Sequence, residues 1–333
     1  MLEIPTSKRG DMRKLLIAAV GFLTQSIIAG VALAAENGTG FYLLGSKTSM
    51  GGFVPPPGTY FIDTNYFYSG GTDIDFQLGG VGFEGGVDAS AYYQMPIALW
   101  VLDEPVFGGN LGLNVIVPIG WKSMESSGLV TFPRRSFDVG FESEDTAFGD
   151  PVVGTMLGWH DGKWHTSIST LLNIPIGQWE YGNPTNIGFH RWAFDATGAV
   201  TYLDPEAGLE LSGAAGFTFN GENLETGYQT GTEFHAEFAA MYVPSHTFSF
   251  GLNGYWYDQI TEDTGGPEKL GGFEGQVFGL GPAINWTIVT PGGRPIVTSF
   301  KYFREFEVVN RLEGEAFFFN ITIPLSAGPA HSG

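Results

Sequence analysis

Lys163-Trp-His-Thr-Ser-Ile-Ser-Thr-Leu-Leu-Asn-Ile-Pro-Ile-Gly177 decides the fold of this chain. Trp164, Thr166, Ile168, Thr170, Leu172, Ile174 and Ile176 fall on one side of an extended backbone, and Lys163, His165, Ser167, Ser169 and Asn173 on the other. Side chains of a β-strand alternate between two faces. A strand with hydrocarbon on one side and a wet lumen on the other must read this way. The stretch 229–243 repeats the pattern: Thr230, Thr232, Phe234, Ala236, Phe238, Ala240 and Tyr242 oppose Gln229, Glu233, His235 and Glu237.

The same period-two test predicts twelve strands: 58–69, 86–101, 108–121, 148–160, 163–177, 190–203, 207–220, 229–243, 246–259, 272–289, 294–306 and 312–325. An even count suits a bacterial outer-membrane barrel, as does the alternation of connections. Long segments at 70–85 and 122–147 alternate with short turns carrying turn chemistry, such as Asp161-Gly162, Asp204-Pro205, Pro244-Ser245 and Pro291-Gly292-Gly293. All eight tryptophans fall at predicted strand ends: Trp100, Trp159, Trp164 and Trp286 beside the short turns, Trp121, Trp179, Trp192 and Trp256 beside the long ones. Indole rings mark the two water–lipid boundaries of a membrane barrel. Pro96, Pro118, Pro175, Pro282 and Pro324 interrupt the predicted strands; each lacks a ladder donor and is read as a bulge. A large secreted β-sandwich would alternate too, but leaves the tryptophans and loop asymmetry unexplained.

Lys8, Arg9, Arg13 and Lys14 precede an apolar run from Leu15 to Leu33 that ends in Ala32-Leu33-Ala34. This has the build of a cleaved secretory signal, with Met12 as a second possible start. The expected organisation is a signal at 1–34, a leader at 35–57, an all-β transmembrane up-and-down barrel at 58–325 and a tail at 326–333. Its lodging is the bacterial outer membrane, with outer-membrane lipid and the barrel-assembly machinery as partners. The leader is Gly-rich and ends in Pro55-Pro56-Pro57, so it is neither regular helix nor strand. It is either a disordered periplasmic tether or a lumen plug; Phe41, Tyr42 and Phe53 favour the plug, because disordered tails are poor in such residues.

The 333 residues include no Cys, which excludes disulfides, thiolate nucleophiles and Cys-type zinc sites. Fifteen Lys+Arg against 35 Asp+Glu give a net charge of −20, which excludes the basic stripe that nucleic-acid binding needs.

Several groups carry possible chemistry. Glu233, His235 and Glu237 point the same way on one strand, a geometry open to metal or acid–base work but equally that of a solvated lumen wall; no metal or cofactor is expected. Arg191 and Asp195 are placed on one inner face. Arg191 and Lys301 are set to balance carboxylates at Asp150, Asp195, Glu210, Glu233 and Glu237. Tyr92, Tyr255, Tyr257, Phe303 and Phe318 are predicted to face inward, where they either pack against the leader or offer weak sites to a small aromatic solute. No catalytic residue is assigned. None of His160, His165, His190, His235, His246 and His331 shares a lipid-facing midplane position with a serine on a neighbouring strand, as a phospholipase-like barrel would require. There is no Walker loop, dinucleotide fingerprint or HExxH.

With the strands placed, the chain resembles the MetA-pathway phenol-degradation family of outer-membrane proteins. The likeness lies in Glu36-Asn37-Gly38-Thr39-Gly40-Phe41-Tyr42, in Pro55-Pro56-Pro57-Gly58 with Tyr60, in Gly149-Asp150-Pro151, and in the final run Phe317-Phe318-Phe319-Asn320-Ile321-Thr322-Ile323-Pro324-Leu325. It implies an outer-membrane channel for passive uptake of small hydrophobic or aromatic compounds. One departure is the eight residues after Leu325, where barrels of this kind often end on an aromatic. A lipid-modifying enzyme and a structural or adhesive barrel acting through its loops are the alternative functions.

Overall fold

The computed structural model describes residues 40–78, 81–132, 135–265, 274–291 and 293–327. The expected signal at 1–34 lies outside them, as do Gly333 and its five predecessors. Among the described residues every regular element is a β-strand: β1 Gly58–Leu78, β2 Val81–Val101, β3 Asn110–Ile116, β4 Ile119–Phe132, β5 Arg135–Phe148, β6 Val152–Asp161, β7 Trp164–Asn173, β8 Ala193–Asp204, β9 Leu209–Asn220, β10 Glu233–Ser245, β11 Phe248–Gln259, β12 Gln276–Val289, β13 Pro295–Val309 and β14 Glu313–Ala327. No helix among them is long and apolar enough to cross a membrane.

All pairings are antiparallel, and β1 pairs with both β2 and β14, which closes the sheet on itself. The fourteen segments make twelve spans. β3 and β4 pair with the same β2 in one register, Ile116 opposite Ile97 and Ile119 opposite Gln94. They are therefore a single span interrupted at Val117-Pro118. Pro118 and, across from it, Pro96 both lack the N–H that a ladder requires; Val117 N donates instead to Pro96 O at 3.2 Å. β5 and β6 form the next span, pairing with β4 and β3 respectively and broken at Gly149-Asp150-Pro151.

The lipid-facing side is apolar as predicted. Phe194, Phe217, Phe238, Phe250, Leu252 and Ile284 are all exposed on the outer face, which is the contact a bilayer requires. Trp100, Trp164 and Trp286 are exposed beside the short turns and Trp192 at the opposite end, in line with two aromatic belts.

The expected boundaries need correction in three places. The stretches 70–85 and 122–147, expected as long loops, are mainly strand: β1 and β2 extend past the upper belt, and so do β4 and β5. Above Trp121 the sequence Lys122-Ser-Met-Glu-Ser-Ser has no lipid to face, so the apolar alternation that marks a membrane strand fades while the backbone goes on pairing. A small cluster of Val87, Ala89, Met124 and Val130 fills these tall hairpins. The strand expected at 163–177 stops at Asn173, ahead of Pro175, and the next begins at Ala193, so Arg191 precedes β8 instead of lying on it. Of the prolines read as bulges, Pro324 does sit beside a register shift, at Thr59/Tyr60 of its partner β1, whereas Pro175 lies in no strand.

Candidate functional site

The lumen is filled on one side by residues 40–57. This segment runs up the barrel from Gly58, held by side chains of β6 to β13. Near the short-turn end His160 Nε2 lies 3.0 Å from Val54 O, and the Phe53 ring packs 5.0 Å from His160 and 5.2 Å from His165. Gly52 N donates to Thr201 Oγ1 at 3.1 Å. Met50 N and Ser49 Oγ donate to Glu210 Oε1 at 2.7 and 2.9 Å. Further up, Glu237 accepts from Gly45 N at 2.9 Å and Lys47 N at 2.6 Å, while Lys301 Nζ donates to Gly45 O and Ser46 O at 2.9 and 3.1 Å. Tyr42 stacks on His235, and Phe41 meets Phe189 edge-on at 6.3 Å.

Gly45 has a φ of +88°, and a Cβ built on it would stand 2.6 Å from the Phe303 ring. Only glycine combines that left-handed backbone with so close an approach.

The three side chains of Glu233-x-His235-x-Glu237 share the inner face of β10 but turn to different partners. Glu233 accepts from Tyr257 Oη at 2.7 Å and Asn220 Nδ2 at 3.2 Å. His235 Nε2 is 2.8 Å from Asp195 Oδ2, both side chains 1% exposed. Asp195 also accepts from Thr197 Oγ1 at 2.7 Å and Thr218 Oγ1 at 2.8 Å. Glu237 holds the leader. Among the described residues no cluster of three or more His, Cys, Asp or Glu side chains is placed to hold a metal ion. Arg191 is buried, donating through Nε to Asn220 Oδ1 at 3.3 Å and lying 5.1 Å from the Phe189 ring. It precedes β8 and so does not share that strand with Asp195 as expected.

Tyr255, Tyr257, Phe303 and Phe318 are buried in a single inner cluster, against which Leu43 and Leu44 of the leader and Tyr66 and Tyr68 of β1 pack. Tyr92 is not among them. It faces outward, stacked on the lipid-exposed Phe67 at 4.6 Å, with its hydroxyl donating to Asn65 Oδ1 at 2.7 Å. Asn65 and Gln94 in turn donate to Asp63 at 3.1 and 3.3 Å, so four polar side chains on the outer wall satisfy one another. The neighbouring Tyr93 is the one that points inward. A slip of one residue reverses every face of a strand, and the Tyr92-Tyr93 pair leaves the choice open locally. The parity of Trp100, six residues before the turn at 106–109 and a belt residue, is the signal that fixes it.

Opposite the leader, the inner faces of β1 to β4 and β6 leave a chamber of about 270 Å³. Its walls include Leu43, Leu44, Met95, Ile97, Ile116 and Ile187, with Tyr66, Tyr68, Tyr93 and Tyr255 among them. The charged residues in the lining are Lys122, Asp150, Glu305 and Arg311. Lys122 Nζ donates to Asn186 O at 3.1 Å. Asp150 gathers the segment after β7, accepting from Asn173 Nδ2 at 3.0 Å, Gly177 N at 2.7 Å and Phe189 N at 2.7 Å. Glu305 accepts from Tyr255 and Tyr68 hydroxyls at 2.8 and 2.9 Å and from Gly314 N at 3.0 Å. Tyr66, Tyr68, Tyr93, Lys122, Glu305 and Arg311 were not singled out from sequence. Arg311 reaches in from the tight turn between β13 and β14, a placement no strand periodicity encodes.

A closed twelve-span barrel, apolar outside, polar and aromatic inside, and occupied by its own leader, defines an outer-membrane β-barrel protein. The family model described as "Putative MetA-pathway of phenol degradation" matches residues 49–321, and the chain belongs to that family. Among solved structures, an outer membrane channel from Pseudomonas putida F1 is similar at 13% identity and a TM-score of 0.63, over 85% of this chain and 99% of that one. A monoaromatic hydrocarbon channel aligns at 8% identity and a TM-score of 0.41, over 89% and 98% of the two chains. A Pseudomonas aeruginosa FadL homologue aligns at 10% and 0.39, over 90% and 100%. No curated protein matches the chain.

Proposed function

We propose that this chain is a channel for the passive entry of small aromatic or otherwise hydrophobic compounds of the kind a phenol-degradation route consumes. The observation that carries this reading is the chamber of about 270 Å³ between leader and wall, mostly hydrocarbon and phenol ring in a lumen otherwise lined by hydrogen-bonded polar groups. A water-filled pore for ions or sugars gains nothing from such a lining, while a small ring buries its whole surface there. Aromatic bodies with a hydroxyl handle give a solute several weak resting places, which favours passage over retention. The energy is that of the solute's own gradient.

In this reading the protein is not an enzyme. Its partners are the surrounding lipid, the solute and, during insertion, the barrel-assembly machinery. The inner-face residues Tyr255, Tyr257, Phe303 and Phe318 act by shaping the leader-side wall, and Glu233, His235, Asp195, Arg191 and Lys301 by fixing the leader and the outer mouth.

The test is entry of phenol into proteoliposomes whose outer leaflet is lipopolysaccharide, compared with protein-free vesicles. Protein-dependent entry supports the channel. No entry, together with phospholipid ester hydrolysis that disappears on replacing a histidine, assigns the chain to lipid modification instead.

A further inference from the structure

The hairpins β1-β2 and β4-β5 rise above the upper belt as one sheet, and β5 is its last strand, paired with β4 alone. Along 135–147 the N–H and C=O groups on the side away from β4 have no backbone partner among the described residues; below them Phe148 O accepts from Gln178 N at 3.0 Å. An open strand edge is a template for one more strand. Proline, lysine and bulges are the usual guards of such an edge, and β5 has no proline, no lysine and no register shift against β4.

The two faces of β5 differ. Val139 and Phe141 point inward and pack on the cluster of Val87, Ala89, Met124 and Val130. Arg135 falls on that same face by the alternation of the strand. Asp138 and Glu142 point outward and are exposed. Glu142 stands directly opposite Glu125, and Glu125 directly opposite Asp88, so three exposed carboxylates form one row across β5, β4 and β2. Asp138 begins a second row, opposite Leu129, which is opposite the exposed Glu84. Like charges directly opposite each other destabilise a sheet. Arg304, which shares this wall with Asp88 and Glu125, is engaged by Glu313 and Glu315 at 3.3 and 3.4 Å.

A strand laid along β5 continues both faces. Its residue opposite Glu142 joins the carboxylate row, where a lysine or arginine replaces repulsion with attraction. Its alternate residues lie beside Val139 and Phe141, where apolar side chains extend the buried cluster. Another copy of the chain in the same membrane brings the wrong charge: its open edges are β5, with Asp138 and Glu142, and β1 above Gly71, with Asp73.

We propose that the free edge of β5 is a cell-surface docking site for an extended polypeptide of alternating basic and apolar residues, which joins the sheet as its next strand. The proposal is independent of the channel reading.

The experiment uses the full-length protein in phosphatidylcholine nanodiscs and a fluorescein-labelled, end-capped octapeptide of alternating lysine and valine, with anisotropy read against empty nanodiscs. Two further forms of the peptide are compared, one N-methylated on its lysines and the other on its valines. N–H direction alternates along a strand together with side-chain face, so one form has its edge-facing donors blocked and the other keeps them. One form is expected to bind as the parent does and the other at least about tenfold more weakly, having lost several net hydrogen bonds. Asp138→Asn with Glu142→Gln, at two exposed positions, is expected to weaken the parent peptide by about tenfold through the lost cross-strand pairs, with heat-modifiable mobility unchanged. Equal affinity of the two methylated forms, or equal binding of a glutamate–valine octapeptide, shows adhesion without strand addition and overturns the proposal, as does absence of binding by the parent. Copies carrying Ser136→Cys that cross-link to one another in cell membranes without peptide assign the edge to a second copy and overturn it too.

Discussion

The ring of Tyr42 lies flat against that of His235, 12° from parallel with centroids 3.5 Å apart. One residue belongs to the leader and the other to the wall of the barrel, and His235 is itself fixed by Asp195 at 2.8 Å. The leader therefore completes the interior packing of β8 to β10 and is joined to the wall through side chains. Tyr42→Ala removes a buried aromatic, a loss of about 3–5 kcal/mol in protein cores, and is expected to loosen the upper leader and raise single-channel conductance. Tyr42→Phe keeps the ring and its stacking on His235, so conductance should stay near the native level.

Glu237 is expected to be the principal tie. It takes two backbone N–H groups of the leader, and hydrogen bonds to a charged group contribute about 1.5–3 kcal/mol each. Glu237→Ala should raise conductance more than Lys301→Met, because the lysine only donates to carbonyls that water can also satisfy once the leader lifts. Equal conductance in both variants and the native protein would show that these contacts do not restrict the pore.

Gly45→Ala tests the fit of the leader without removing any anchor. The added Cβ would meet the Phe303 ring at 2.6 Å on a backbone that disfavours side chains. Protease applied from the short-turn side should cut the leader faster in this variant than in the native protein, with the barrel's heat-modifiable mobility on gels unchanged.

Asp150 holds the segment between β7 and β8 through Gly177 N and Phe189 N, and the end of β7 through Asn173 Nδ2. Asp150→Ala is expected to free residues 177–189, measured as new protease cleavage there in intact cells. Asp150→Asn, which keeps one acceptor oxygen, should be intermediate. An uncut loop in Asp150→Ala would mean that its other contacts suffice.

The barrel itself was legible because lipid on one face and lumen on the other impose a two-residue period, as in Trp164 to Leu172. Legibility failed where that contrast ends. Above the belts the outer faces of β4 and β5 no longer meet lipid, so the stretch reads as loop, although Phe132 and Arg135 still pair across the hairpin. The division of two spans into β3–β4 and β5–β6 depends on which neighbour each half meets, a tertiary fact that Pro118 and Gly149-Asp150-Pro151 only hint at. The inner aromatics were found where single rings alternate, as at Tyr255 and Tyr257, and misassigned at Tyr92-Tyr93, where adjacent rings hide the parity. The chamber was invisible because it is bounded by elements far apart in the chain, Leu43 in the leader and Arg311 in the last outer turn.

The most direct measurement is single-channel current through the native protein and through a form lacking Glu36 to Val54, each titrated with phenol. The native chain should conduct weakly and show brief blockades whose frequency rises with phenol concentration. The shortened form should conduct more strongly. Native channels that neither conduct nor respond to phenol, with a shortened form that behaves identically, would contradict the account.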